Sequence, residues 1–388
     1  MKKLSNAALK LEGQKMFQIL AQAKDLEKQG KKIYHFEIGD PDFDTPKNVI
    51  EKCIESLRGG FTHYAKSSGM DELKEASRNR SFLSRGFKPD NNQILVTAGA
   101  NIQIFYALAC LVNPGEEVVT VDPCFVSYRS IMKFLDIKPK FVPLLEEKEF
   151  KLSSDDLKKA ISKKTKAILI NSPHNPTGSI LDEELIRKIY DIAEENDLYL
   201  ISDEVYGRMV YDEKSKFFSP SSIDHCKKRT IVTHSLSKSY AMTGWRIGAV
   251  TGPSEVIEKM GLLLETTSSC VSPFVQIAAT EALLSSQNEI KKMMNEFEKR
   301  RNLMVDLINK INGVSCISPQ GAFYVFANIK KTKLSDIEFA DKILKDVGIA
   351  VCPGSYFGKY GEGYVRFCFA NSTENIQEGL NKLIEYFN

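Results

Sequence analysis

Residues 235–246 have the sequence SLSKSYAMTGWR, in which Lys238 lies among three serines and eight positions before Arg246. Apolar runs at 230–234 and 247–250 flank this stretch and predict two buried strands. We therefore expect Lys238 to lie on a turn that emerges from the core of the fold, not on an open surface.

A lysine in this setting favours its neutral form, because partial burial and a nearby arginine both lower its pKa. A neutral amine attacks carbonyl groups and forms a Schiff base. The serine hydroxyls and Arg246 together suit a phosphate dianion. A lysine that attacks an aldehyde beside a phosphate site suggests pyridoxal phosphate. A solvated lysine on a serine-rich loop is the alternative that this stretch alone leaves open.

Ser235 and Lys238 also match the Ser-x-x-Lys pattern of the serine β-lactamases. That interpretation requires a Ser-Asp-Asn and a Lys-Thr-Gly elsewhere, and neither string occurs in the sequence.

The composition is that of a globular protein, with 388 residues, 43% hydrophobic, 27% charged, and a net charge of +3. No basic block stands out, so nucleic acid is not expected as a partner. The apolar runs are far shorter than the roughly 20 residues of a membrane span, and the N-terminus lacks the apolar core of a signal peptide. Eight cysteines lie scattered without metal-ligand spacing. They predict reduced thiols in the cytoplasm and no metal site.

The order of apolar segments predicts an α/β fold. Short apolar runs ending near Thr97, Val121, Ile170 and Ser202 alternate with helical patterns, which is typical of a mostly parallel sheet covered on both faces. Before them, residues 5–29 predict one helix. After Pro253 a long helical region is expected over 274–311, and then a smaller α+β part.

Ligands of open α/β sheets bind beyond the carboxyl ends of the strands. Asp203 follows the apolar run 199–201, where a carboxylate is costly unless it is paired. A protonated pyridine nitrogen would pair it; a helix cap or a salt bridge is the alternative. Asn175 and Tyr206 could donate hydrogen bonds to a ring phenolate, although a turn and simple packing explain them equally well.

Three further sites, namely one turn and two single residues, have two interpretations each. Gly99, Ala100 and Asn101 join a strand to a helix, where free N–H groups bind phosphate, or they form an ordinary turn. Phe125 is a ring that stacks on a flat cofactor, or a core residue. Arg366 alternates into an apolar strand and either faces solvent or binds a carboxylate through its planar fork.

Taken together, these segments resemble a known family. The sequence has Asn-Pro-Thr-Gly at 175–178, Asp-Glu-Val-Tyr at 203–206, Ser-Leu-Ser-Lys at 235–238 and Gly-Trp-Arg at 244–246. In this order and spacing it resembles the class I and II aminotransferases, which are pyridoxal-phosphate enzymes of fold type I. The resemblance extends from Gly39 to Arg366.

The resemblance implies a large cofactor-binding domain over 45–280, built on a mostly parallel sheet of the seven-stranded type. It implies a small α+β domain formed by 1–44 and 281–388. It also implies an obligate homodimer with shared active sites, because Tyr64 matches a tyrosine that reaches the phosphate in the neighbouring subunit.

The same resemblance implies roles for individual residues. Lys238 would form the Schiff base and move the proton, Asp203 would pair with the pyridine nitrogen, and Asn175 and Tyr206 would hold the phenolic oxygen. The catalytic set is thus Lys238, Asp203 and Tyr206. The other expected cofactor contacts are Gly99, Ala100, Asn101, Phe125, Ser235, Ser237 and Arg246, with Tyr64 from the partner. The expected substrate contacts are Gly39, Asn175 and Arg366.

The implied activity is exchange of an amino group between an L-amino acid and a 2-oxo acid by a ping-pong cycle. A β-lyase or synthase on the same fold and, more remotely, a non-catalytic pyridoxal-phosphate-binding regulator are the alternatives. Asn101 stands where some aspartate-specific relatives carry a lysine, so we expect no strict dicarboxylate preference on that route. Phe17, Ile38, Phe125 and Tyr128 predict a side-chain pocket for apolar or aromatic substrates.

Overall fold

The computed structural model describes residues 3–211 and 216–388. The strands are β1 (Tyr34–His35), β2 (Ile94–Thr97), β3 (Glu117–Asp122), β4 (Lys138–Pro143), β5 (Thr165–Asn171), β6 (Tyr199–Asp203), β7 (Thr230–Ser235), β8 (Gly248–Thr251), β9 (Ser315–Cys316), β10 (Tyr324–Asn328), β11 (Ile349–Ala350), β12 (Cys352–Pro353) and β13 (Tyr364–Cys368).

The helices are α1 (Asn6–Leu9), α2 (Met16–Lys28), α3 (Lys47–Arg58), α4 (Asp71–Arg85), α5 (Ala100–Leu111), α6 (Val126–Phe134), α7 (Ser154–Ala160), α8 (Glu183–Glu195), α9 (Ser221–Asp224), α10 (Ser254–Ser268), α11 (Pro273–Leu284), α12 (Asn288–Ile308), α13 (Asp336–Asp346) and α14 (Thr373–Phe387).

The central sheet has seven strands in the order β2-β8-β7-β6-β5-β3-β4. β8 is antiparallel to both neighbours, and every other pair in the sheet is parallel. Every residue of β2 and β3 is buried, as expected for strands that helices cover on both faces. The predicted fold, an α/β protein with a mostly parallel sheet, is confirmed.

A second, antiparallel sheet has the order β12-β13-β10-β9. Helices α12 and α13 pack against it, and α14 packs on α12. The N-terminal segment joins this part of the molecule through the parallel pair β1-β11, in which Tyr34 lies opposite Ile349. The division into domains at residues 45 and 280 stays a prediction.

Two helix predictions were wrong in their extent. Residues 5–29 form α1 and α2 rather than one helix, because Gly13 lowers the helix propensity of the segment between them and its neighbours bond elsewhere. The Glu12 carbonyl accepts a hydrogen bond from the Ser130 hydroxyl at 3.0 Å, and the Gln14 amide donates to the Ser127 hydroxyl at 3.0 Å. The region 274–311 is likewise interrupted, since α11 ends at Leu284 and α12 begins at Asn288.

In the described part of the chain, no helix combines the length and the apolar character that crossing a bilayer requires. Each of the eight cysteines is a free thiol.

His35 connects β1 to the neighbouring elements through two carboxylates. Its Nδ1 lies 2.8 Å from the Glu37 carboxylate, which is completely buried, and its Nε2 lies 3.1 Å from that of Glu27 on α2. The hydrogen bond to Glu37 is the main cause that raises the pKa of His35 to about 9. The folded protein therefore binds a proton that the unfolded chain releases at lower pH.

We predict that the stabilisation by His35 depends on pH. It is complete below the ordinary histidine pKa of about 6.5 and is lost as the pH rises towards 9. The unfolding temperature of His35→Gln should therefore lie furthest below that of the native protein near about pH 6, and the gap should close by about pH 10. Glu27→Gln, which removes the weaker partner, should keep most of the pH dependence. A gap independent of pH would contradict the assignment.

Candidate active site

Three neighbouring parallel strands end side by side in polar residues. Asn171 ends β5 and lies opposite Asp203, which ends β6, while Ser235 ends β7. A cavity of about 300 Å³ lies beyond these ends. The predicted site residues that line it are Gly39, Ala100, Asn101, Phe125, Asn175, Asp203, Tyr206, Ser235, Ser237, Lys238, Arg246 and Arg366.

Lys238 lies inside this cavity, on the turn after β7, as the flanking strands predict. Its ammonium group donates a hydrogen bond to the backbone carbonyl of Gly39. Burial lowers the pKa of Lys238 to about 8, and the positive charges of Arg366 and Arg246 act in the same direction. A substantial fraction of the amine is consequently neutral near pH 8 and is nucleophilic in that form.

Asp203 is a buried carboxylate without a cationic partner among the residues described. It accepts hydrogen bonds from the Tyr128 hydroxyl at 2.5 Å and from the Val205 N–H at 3.2 Å. Burial raises the pKa of Asp203, and the Tyr128 hydrogen bond opposes this rise. A buried carboxylate is costly unless a cation or several donors compensate it, so the site favours a ligand that brings a positively charged donor.

An anion-binding surface lies at the beginning of α5. Gly99 precedes this helix with φ +83°, and no side chain caps the first N–H groups. A Cβ atom on Gly99 would lie 2.4 Å from the guanidinium of Arg246, so only glycine allows that approach. The hydroxyls of Ser235 and Ser237, 2.8 Å apart, lie on the same cavity wall. Free helical N–H groups, hydroxyls and a guanidinium together form a phosphate site.

Arg366 enters the cavity from β13 and is almost completely buried. Its guanidinium donates to the Asn175 side-chain oxygen at 3.0 Å and to the Glu37 carbonyl at 2.6 Å, and it lies 4.3 Å from the centre of the Tyr324 ring. These contacts hold a positive charge in place without a carboxylate. The buried Nε atom has no hydrogen-bond partner in the described part of the chain. A bound carboxylate would supply the missing acceptor.

Tyr324 connects several of these groups. Its hydroxyl lies 2.8 Å from that of Tyr206, and burial raises the pKa of both phenols. A Cβ atom on Gly39 would lie 1.9 Å from the Tyr324 hydroxyl oxygen, which means that the backbone at residue 39 approaches this ring as closely as glycine permits.

Tyr64 and Gly99 are the two predicted site residues that do not line the cavity. Tyr64 lies away from it. Its side chain is 88% exposed and lies at a separate surface depression beside His63. Gly99 lies behind the cavity wall, against Arg246, rather than in the lining.

Several contacts of the site give no signal in the sequence. Tyr128, which we expected in the side-chain pocket, lines the cavity and also donates a hydrogen bond to Asp203. Tyr324 gave no signal, because a tyrosine in an apolar strand is indistinguishable from core. The amide of Asn171, which could have been noticed at the strand end, accepts a hydrogen bond from the Asn175 N–H at 2.9 Å.

The cavity mouth is formed by the N-terminal segment. Gln14, Met16 and Phe17 line it together with Ile38. Phe17 is 54% exposed, so much of its ring faces solvent beside the opening. The N-terminal segment and Ile38 thus contribute apolar side chains to the lining of the cavity.

A sheet-end cavity with a buried amine, an unpaired carboxylate and an anion site defines an enzyme built for chemistry on a bound anionic cofactor. Residues 31–383 match the family model "Aminotransferase class I and II". The chain belongs to this family, whose members depend on pyridoxal phosphate, and it is an aminotransferase.

Named relatives agree with this assignment. An aspartate aminotransferase of Pyrococcus abyssi is 41% identical, over 95% of this chain and 93% of its own. An aromatic-amino-acid aminotransferase of Thermococcus litoralis is 40% identical, over 92% of each chain. The structure of the Thermus thermophilus aspartate aminotransferase with maleate superposes with a TM-score of 0.94 at 31% identity, covering 99% of this chain and 100% of that one.

The close approach of residue 39 to Tyr324 yields a prediction. Gly39→Ala should displace the Tyr324 ring and the carbonyl that accepts from Lys238, and it should lower kcat/KM at least about tenfold, or about 1.4 kcal/mol. Gly13→Ala is the matched control, because nothing lies within 4 Å of the added methyl group. Steady-state kinetics and the unfolding temperature of both variants test this; equal kcat/KM in the two variants would contradict it.

Proposed function

We propose that this chain exchanges the amino group between an L-amino acid and a 2-oxo acid with pyridoxal phosphate held in the cavity around Lys238. When bound, this cofactor supplies an aldehyde that reacts with amines and a ring that accepts the electron pair released at the substrate Cα. Lys238 would hold this cofactor through its amine and would carry the proton of the substrate Cα. The relatives named above are aminotransferases, which supports exchange over elimination.

The observation that carries this proposal is the buried Asp203 carboxylate, which has no cationic side chain beside it among the residues that the structure describes. A protonated pyridine nitrogen is a positively charged N–H donor of the kind that the carboxylate lacks. The Tyr128 hydroxyl donates a hydrogen bond to one carboxylate oxygen of Asp203 at 2.5 Å, which fixes the orientation of the carboxylate. Asp203 thereby keeps the ring nitrogen protonated.

The remaining cofactor contacts are proposed on the positions of the side chains. The N–H groups of Ala100 and Asn101, with Ser235, Ser237 and Arg246, bind the phosphate, and Gly99 gives Arg246 room. In addition, Phe125 stacks on the ring, and Asn175 and Tyr206 donate to its phenolic oxygen.

On the substrate side, Arg366 binds the α-carboxylate. Asn175 and the backbone of Gly39 lie beside it. We propose that the Nε atom of Arg366, which is buried and unpartnered in the structure described, acquires its acceptor when substrate enters.

We further propose a homodimer in which Tyr64 of one subunit reaches the phosphate in its partner, since 88% exposure leaves this ring available. The two-domain division at 45–280 against 1–44 and 281–388 belongs to the same proposal. A cytoplasmic location is proposed on the eight free thiols.

Lys238→Ala tests the central assignment. Reduction of the holoenzyme with borohydride should fix the cofactor on the peptide that contains Lys238, as mass spectrometry reads out. In Lys238→Ala both the label and about 99.9% or more of kcat should be lost, because the amine acts as nucleophile and proton carrier.

Lys188→Ala is the control, because this lysine is exposed on α8 and pairs with Glu184 on the same helix. It should keep both the label and the activity. A label on another lysine, or turnover by Lys238→Ala near the native rate, would refute the role.

Substrate class is proposed to be neutral apolar or aromatic amino acids rather than strict dicarboxylates. Phe17 and Ile38 at the mouth offer apolar surface, and the polar amide of Asn101 stands where some aspartate-specific members of the family carry a lysine.

With 2-oxoglutarate as acceptor, kcat/KM for phenylalanine or leucine should exceed that for aspartate by about tenfold or more. Asn101→Lys should shift this ratio towards aspartate, because it adds a cation for the distal carboxylate, whereas Asn101→Gln should not. A strong preference of the native enzyme for aspartate would overturn the substrate class and leave the transaminase assignment intact.

A further inference from the structure

A second cavity, of about 240 Å³, lies behind the one that contains Lys238. It is partly open to solvent and is lined by α4, β7, β8, the end of α11 and parts of the segment between β6 and β7. The side chains on β7 that face it, Val232 and His234, alternate with Ser235, which faces the catalytic cavity. The two cavities therefore share the backbone of β7.

The walls of this cavity carry three arginines, Arg80, Arg85 and Arg208, and the lining residues in 3–211 and 216–388 include no acidic side chain. Arg85 is neutralised, because it donates to the buried carboxylate of Glu204 at 2.6 Å. The other two guanidiniums have neutral partners only. Arg80 donates to the Leu283 carbonyl at 2.8 Å, and Arg208 donates to Gln287 at 2.7 Å and to the Tyr240 hydroxyl.

Neither Arg80 nor Arg208 forms an ion pair with any residue in 3–211 or 216–388. Two guanidiniums around one cavity repel each other unless an anion lies between them. His234 is kept neutral by burial and by Arg85 and Arg208, which lower its pKa to about 3. Its buried Nδ1 atom has no partner among the described residues, so it can serve a ligand instead.

The rest of the lining is mixed: it includes the apolar side chains Leu83, Phe87, Phe217, Val232, Leu236 and Leu283, and the hydroxyls of Ser77, Ser81, Ser84, Ser221, Thr251 and Tyr240. An inorganic anion alone would leave the apolar side chains of this lining in contact with water. An organic acid with a compact apolar body satisfies both the arginines and the walls. The volume is sufficient, since a cavity of about 150 Å³ holds benzene.

We propose that this cavity is a second ligand site, for a small organic carboxylate whose charged end lies between Arg80 and Arg208 and whose apolar body packs against Phe87 and Leu236. The site is distinct from the substrate cavity and does not depend on the proposed reaction. Arg208 follows Asp203 in the chain by a few residues, and Tyr240 likewise follows Lys238. A ligand in the second cavity therefore lies beside the segments that carry Asp203 and Lys238.

Benzoate is a suitable probe, and holoenzyme carrying Arg366→Gln is the suitable background, because Arg366 is the carboxylate binder of the first cavity. Isothermal titration of this variant should give one benzoate per chain. Adding Arg80→Gln and Arg208→Gln should weaken the Kd at least about tenfold, as loss of charge-assisted hydrogen bonds requires. Adding Arg187→Gln, an exposed arginine paired with Glu183 on α8, should change nothing.

Three results would overturn the proposal: no benzoate binding in the Arg366→Gln background, binding that persists in the combined Arg80 and Arg208 variant, or inorganic phosphate binding there as tightly as benzoate. If the combined variant does not fold, Arg80→Gln alone replaces it, and it must still weaken the Kd.

Discussion

The buried carboxylate of Asp203 is the constraint on which the arrangement of the site depends. It ends a core strand, has no cationic side chain beside it in the described structure, and is oriented by a single phenol, that of Tyr128. Without a positively charged ligand, burial favours its neutral form. With a protonated pyridine in the cavity, the same burial strengthens the pairing, because the low dielectric around the carboxylate raises the attraction between opposite charges.

Burial also disfavours the charged form of Lys238, which is positive where that of Asp203 is negative. Burial and two arginines disfavour its ammonium form, so the amine is nucleophilic at a pH where an exposed lysine is not. Asp203 and Lys238 sit on neighbouring segments at the ends of β6 and β7, and the register of the parallel sheet brings them together. Burial disfavours the charged forms of both Asp203 and Lys238 at this sheet edge, and one bound cofactor would compensate both. Cofactor binding would therefore stabilise the folded form of this edge.

The parts of the site that could be predicted from the sequence are those that short segments of the chain encode. Lys238, Asp203 and the turn at Gly99 lie within short motifs, and the alternation of apolar strands places their ends together. Tyr128 and Tyr324 act through hydroxyls that reach residues far away in sequence, and no local pattern encodes such a contact. The break between α1 and α2 was missed for a related reason. Glu12 and Gln14 bond to α6 instead of continuing the helix, and tertiary contacts of this kind override periodicity.

The two ends of the catalytic cavity are built from different parts of the chain. Groups that face the cofactor come from the sheet ends, whose positions the strand register fixes. Groups that face the substrate side chain come from the N-terminal segment, including Met16 and Phe17, and from Ile38. Met16 is buried in the hydrophobic core, whereas the neighbouring Phe17 is 54% exposed, so packing constrains these two residues to different degrees. Relatives named for aspartate and for aromatic amino acids stand at nearly equal identity to this chain, 41% and 40%, so overall identity does not separate these two substrate classes. The proposed substrate class therefore rests on individual side chains that line the cavity, such as Phe17, Ile38 and Asn101.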